Sequence, residues 1–89
     1  MKINNELSFE IIDNQVVVMD NDNKYFGGTK ALILNSTASK IFILIKNELS
    51  YESIIQEYSK TFNVSYEVSK KDVDDCVNNF YEKGLILND

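Results

Sequence analysis

Histidine, arginine, proline and tryptophan are missing from this chain, and cysteine occurs once. Without histidine there is no side chain whose ordinary pKa makes it a general base near neutrality. Ser-His-Asp or Cys-His catalysis and imidazole metal ligation are therefore excluded. Without arginine there is no planar fork to grip a phosphate or a guanine through two bonds. A single Cys76 cannot form an internal disulfide, so nothing calls for an oxidising compartment, and a cytoplasmic protein is expected. No apolar run approaches the ~20 residues that a membrane span requires, and the opening Met1 to Glu6 lacks the apolar segment of a secretory signal.

What is present is a short acidic chain. Its 89 residues make one domain's worth of sequence, expected to fold as a single unit over residues 1–89. At that size nearly every apolar residue is needed for one small core, and little is left to build a deep catalytic cavity. Nine lysines face 14 acids, a net charge of −5. Residues 1–44 hold four lysines and five acids, and residues 45–89 hold five lysines and nine acids, so the second half carries most of the negative charge.

The hydrophobic period changes near Asn35. Before it, Leu7-Ser8-Phe9-Glu10-Ile11 alternates, Gln15-Val16-Val17-Val18-Met19 is β-branched and Ala31-Leu32-Ile33-Leu34 is a short apolar run, which predicts three strands. Asp13-Asn14 suits a tight hairpin turn and Asp20 to Asn23 a second one. Tyr25 to Thr29, with two glycines, leaves the start of the third strand open between Lys24 and Lys30.

After Asn35 the period is helical. Asn35 or Ser36 can cap a helix carrying Ala38, Ile41, Phe42, Leu44 and Ile45, and Ser50 can cap one carrying Ile54, Ile55, Tyr58 and Phe62. Ser65 or Ser69 starts a third, with Val73, Cys76, Val77 and Phe80 on its stripe and Gly84 as its stop. The tail Leu85-Ile86-Leu87 should pack back in extended form. The expected class is α+β, a three-stranded antiparallel sheet followed by three helices in a winged helix-turn-helix-like layout.

Several chemistries fail on spacing. Asp20-x-Asp22 opens like a calcium loop, but the later positions fall on Lys24, Tyr25 and Ala31. Gly27-Gly28-Thr29-Lys30 lacks the spacing and the βαβ context of a phosphate loop. Cys76 lies in an apolar stripe and reads as a small buried hydrophobe. A winged helix invites a DNA-binding reading, yet Lys71 to Asn79 holds three acids and one lysine where phosphates need cations. No catalytic residue, metal site or cofactor is expected, and no nucleic acid or membrane.

The sheet has apolar residues to spare. Val16 and Val18 point opposite to Val17 and Met19, and three helices can cover only one face. An open edge strand also presents unpaired backbone groups that can template another strand, so peptide addition beside strand three is one route to function. The same residues could instead close a core or a homodimer seam.

These residues resemble the PqqD-like family. Leu34 to Ile45 looks like its "LN-x-TA-x-x-I-x-x-L" segment, Ser53-Ile54-Ile55 and Tyr58 like its following positions, and Asp72-Val73, Phe80 and Lys83-Gly84-Leu85-Ile86 like its "DV…L…KGL" ending. The resemblance runs from about residue 7 to residue 87. It implies a recognition element that binds the leader of a ribosomally made peptide and hands it to a maturation enzyme such as a radical SAM enzyme, a cyclase or a leader peptidase. In that family the leader adds as a strand beside the third strand and touches the third helix. By position, Ala31, Leu32 and Ile33 would pair with it, and Val73, Asp74, Val77, Asn78 and Tyr81 would form the helix wall. A proline at position 32 blocks pairing if that residue's N–H faces the edge.

Overall fold

A computed structural model describes residues 1–88. Its elements are β1 (Lys2–Ile3), β2 (Ser8–Ile12), β3 (Gln15–Met19), β4 (Ala31–Ile33), α1 (Ser36–Lys46), α2 (Tyr51–Phe62), α3 (Tyr66–Glu82) and β5 (Ile86–Leu87). The expected α+β layout is observed: β2, β3 and β4 form an antiparallel sheet in that order, and three helices follow. The third strand begins at Ala31, one residue beyond the later of its two possible starts, Lys30.

The β2–β3 turn is made by Asp13 (φ 50°) and Asn14 (φ 65°). Two successive left-handed residues are what a type I′ turn needs, and Asp and Asn tolerate them best among residues with side chains. The turn fixes the register Phe9↔Val18 and Ile11↔Val16, and β4 continues it with Val18↔Leu32. Phe9, Ile11, Val16, Val18 and Leu32 thus share the face that meets the helices. Glu10, Ile12, Val17, Met19, Ala31 and Ile33 share the other.

Each helix begins on a side chain that accepts a backbone N–H: Asn35 from Ala38, Ser50 from Ser53 and Ser65 from Val68. Such a cap satisfies one of the four orphan donors of a helix start and contributes about 1 kcal/mol. Ser65 rather than Ser69 therefore opens α3. Gly84, at φ 75°, turns the chain out of α3, and the Tyr25 ring lies so close that a Cβ there would sit 2.6 Å from its Cδ1. Only glycine meets both conditions. In the core, Phe42 stands edge-on to Phe9 and Phe80, with centroids 5.2 and 6.1 Å apart, above Ile41, Ile45, Ile54, Val73 and Leu85.

One buried hydroxyl joins the two layers. Ser39, on the inner side of α1 and 0% exposed, accepts from the Val16 N–H (3.0 Å) and donates to the Leu34 carbonyl (3.1 Å). It stands in for a missing rung where β3 leaves β4. Ser39→Ala removes both bonds and strands a buried N–H, which should cost about 1–3 kcal/mol in urea unfolding. A loss under about 0.5 kcal/mol, the size of an ordinary surface change, would show that the rung is dispensable.

β1 is a strand that the hydrophobic pattern of residues 1–6 does not signal. It pairs with β5 through Lys2↔Leu87 and Ile3↔Ile86, and the fully buried Asn4 secures it. The Asn4 backbone N–H donates to the Leu85 carbonyl (2.9 Å) and its side-chain amide to the Gly84 carbonyl (2.8 Å). The apolar tail packs back as expected, with Leu85 and Ile86 buried.

Candidate functional site

Among the described residues no strand lies on the far side of β4. Antiparallel pairs alternate between bonded and non-bonded. Leu34 N–H donates to the Val16 carbonyl (2.9 Å) and Asp20 N–H to the Lys30 carbonyl (2.8 Å), so the pair between them, Val18 and Leu32, is also a bonded one. Leu32 therefore turns its N–H and C=O toward β3. The outward groups belong to Ala31 and Ile33. This corrects the condition placed on position 32: a proline there would break the sheet's own ladder, and position 33 is where it would strip a donor from the edge.

Ile33 is 65% exposed and Ala31 is exposed, whereas Leu32 is half-buried on the inner face. On α3, Val73 and Val77 are buried, 0% and 5% exposed, and belong to the core beneath. Val73 offers no surface to a peptide and Val77 only a sliver. Asp74 and Tyr81 are half-buried and Asn78 is exposed, so these three alone of the five helix candidates reach solvent. Asp74 holds Lys70 at 3.0 Å, and Asp75 holds Lys71 at the same distance. No Cα of β4 comes within 8 Å of one in α3.

What spans from β4 to the end of α3 is the stretch 20–30. It leaves Met19, returns at Ala31 and lays Tyr25 over Gly84, just past the C-terminal end of α3. Asp20, read as part of a polar turn, is its anchor and is only 1% exposed. Its Oδ2 accepts from the N–H of Tyr25 (2.6 Å) and of Phe26 (2.9 Å), and its Oδ1 from the N–H of Lys24 (3.1 Å). Desolvation raises the carboxyl pKa, but these backbone donors outweigh it and hold the group below its ordinary value. A carboxylate so committed is not free to ligate calcium. From outside, Glu6 accepts from the Tyr25 hydroxyl and from Lys24 Nζ (2.9 Å), which lowers its own pKa. Only the rule that a buried Asp needs donors could have pointed to Asp20, and that requires knowing it is buried.

Other features carry less. Burial pushes the Cys76 thiol up to about 12, so it is no thiolate nucleophile at neutral pH. A cavity of about 430 Å³ lies at the other end of the sheet, among Gln15, Ser36, Lys40, Ile43 and Phe62, and none of the eight candidates lines it. The far edge is open as well: the Phe9 and Ile11 backbone groups face away from β3. No helix is long and apolar enough to cross a membrane among the described residues.

Comparison with known proteins gives one family and one fold. The family model for coenzyme PQQ synthesis protein D (PqqD) matches residues 15–86. No curated protein matches the chain. Among solved structures, TbiB1 in complex with the TbiA(beta) leader peptide superposes with a TM-score of 0.82, covering 100% of both chains at 23% identity. That likeness is one of fold.

Proposed function

The chain belongs to the PqqD family, and from that premise we propose that it binds the leader segment of a ribosomally synthesised precursor peptide and presents it to a maturation enzyme. The leader adds as a strand beside β4. It pairs with the outward N–H and C=O groups of Ala31 and Ile33, and its side chains meet Asp74, Asn78 and Tyr81 of α3. The observation that carries this reading is the unpaired edge of β4, which supplies main-chain affinity without any catalytic group. A protein of the same fold, TbiB1, was solved with a leader peptide bound, which supports the choice of ligand. The chain acts as one recognition domain and is not itself an enzyme. It needs no cofactor and works in the cytoplasm, where precursor peptides are made. Its partner is a radical SAM enzyme, a cyclase or a leader peptidase.

Fluorescence anisotropy with labelled peptides from small reading frames beside the gene, and with a DNA duplex as control, tests the reading at about 0.1 M salt, where long-range charge effects are screened. Saturable binding of one peptide at about micromolar Kd or tighter, and none to DNA, is the expected result. No binding by the folded protein to any peptide would sink it. A second reading rests on the edge of β2, where Ile11 and Ile12 are exposed: two copies pair through a sheet edge. A tight dimer without peptide in light scattering would favour it.

A further inference from the structure

The edge strand is only three residues long, and an eleven-residue excursion separates it from β3. A strand so short, reached by so long a connection, has little of its own to hold its register. A slip of one residue would turn Leu32 outward and Ile33 inward, and would exchange the backbone groups offered at the edge. Asp20 stands where that slip would have to begin. Its backbone N–H bonds the Lys30 carbonyl, the last rung before Ala31, and its carbonyl accepts from Asn23 (3.1 Å). Its carboxylate gathers the N–H groups of Lys24, Tyr25 and Phe26. A single residue thus grips the excursion at both ends.

We infer that Asp20 is a register lock: a positioning residue that touches no peptide but fixes which backbone groups β4 presents to the bound strand. The inference rests on the leader-binding reading and deepens it, since the peptide would recognise a row of donors and acceptors that Asp20 holds in phase. Asn at this position keeps the shape but brings its NH₂ against N–H donors, so at most one of the two side-chain acceptors survives. The excursion then loosens while the β2–β3 hairpin, with its own turn, keeps its pairing.

Two measurements on the full chain separate this from general weakening. In peptide-free amide exchange at a temperature where all variants are folded, Asp20→Asn should lower the protection of the Leu32 N–H at least tenfold, and that of Val17, bonded into the hairpin, much less. In the anisotropy titration the same variant should raise Kd at least tenfold. Ile54→Val, a core change in α2, is the control for lost stability and should leave Kd unchanged. Asp20→Ser, which keeps one acceptor, serves if the Asn variant does not fold and should show the same selective loss. Unchanged Leu32 protection, an equal loss at Val17, or a Kd raised as much by Ile54→Val overturns the lock. Failure of the native protein to bind any leader would sink the functional reading, and the exchange data would still decide whether Asp20 holds the register.

Discussion

Ile33→Pro should leave the domain folded and cut leader binding at least tenfold. Proline has no N–H to donate, and within sheets it is tolerated where that N–H would face away from the ladder. Ile33 is such a position, because its pair with Val17 is a non-bonded one. The residue before it, Leu32, is already extended, as a residue preceding proline prefers. A peptide strand loses one main-chain bond and meets a ring where it needed a donor. Ile33→Val, which keeps the N–H and the branched side chain, should bind normally. Circular dichroism checks folding and anisotropy checks affinity. A folded proline variant that binds as tightly as the native chain would remove β4 from the site, and Ala31→Pro repeats the test one outward position earlier.

Why position 33 and not 32 could not be read from sequence is a matter of register. The alternation of Ala31 to Leu34 shows that neighbours point opposite ways, but not which of them bonds β3. That depends on how many residues the excursion takes up, and the excursion is organised by a buried aspartate within what reads as a run of solvated polar residues. Locally encoded features were legible. The Asp13-Asn14 turn, the cap at Ser50 and Gly84 each follow from the backbone conformation that their residue types favour, and Asn35 was one of two candidate caps for α1. Val73 and Val77 show the opposite limit. Their spacing with Phe80 already marked them as core, and at 0% and 5% exposure they have little left to form a wall. Ser39 and β1 were hidden for another reason: each finds its partner far along the chain, Ser39 across 23 residues and Asn4 across 80.

The second large effect is on stability. Phe42→Ala should cost about 3–5 kcal/mol, the usual range for emptying a buried aromatic site. The ring is 1% exposed and stands edge-on to both Phe9 of the sheet and Phe80 of α3. Its removal leaves a void where sheet and helices meet, and the edge-to-face pairs are lost with it. Domains of this length hold roughly 5–13 kcal/mol in total, so the variant should sit near the limit of folding at growth temperature. Urea unfolding followed by tyrosine fluorescence measures the change. A loss under about 1 kcal/mol would mean that the cluster repacks, and that the centre of the core lies elsewhere.

The pairing of Lys2 with Leu87 brings the two ends of the fold side by side, next to Gly84 and the Tyr25 ring. No Cα of β1 or β5 comes within 8 Å of one in β4. The polypeptide therefore enters and leaves through one gap, away from the edge of β4. Termini so placed make a unit portable. It can be spliced into a surface loop of another protein, or have its ends joined and be reopened elsewhere, with neither junction lying across β4.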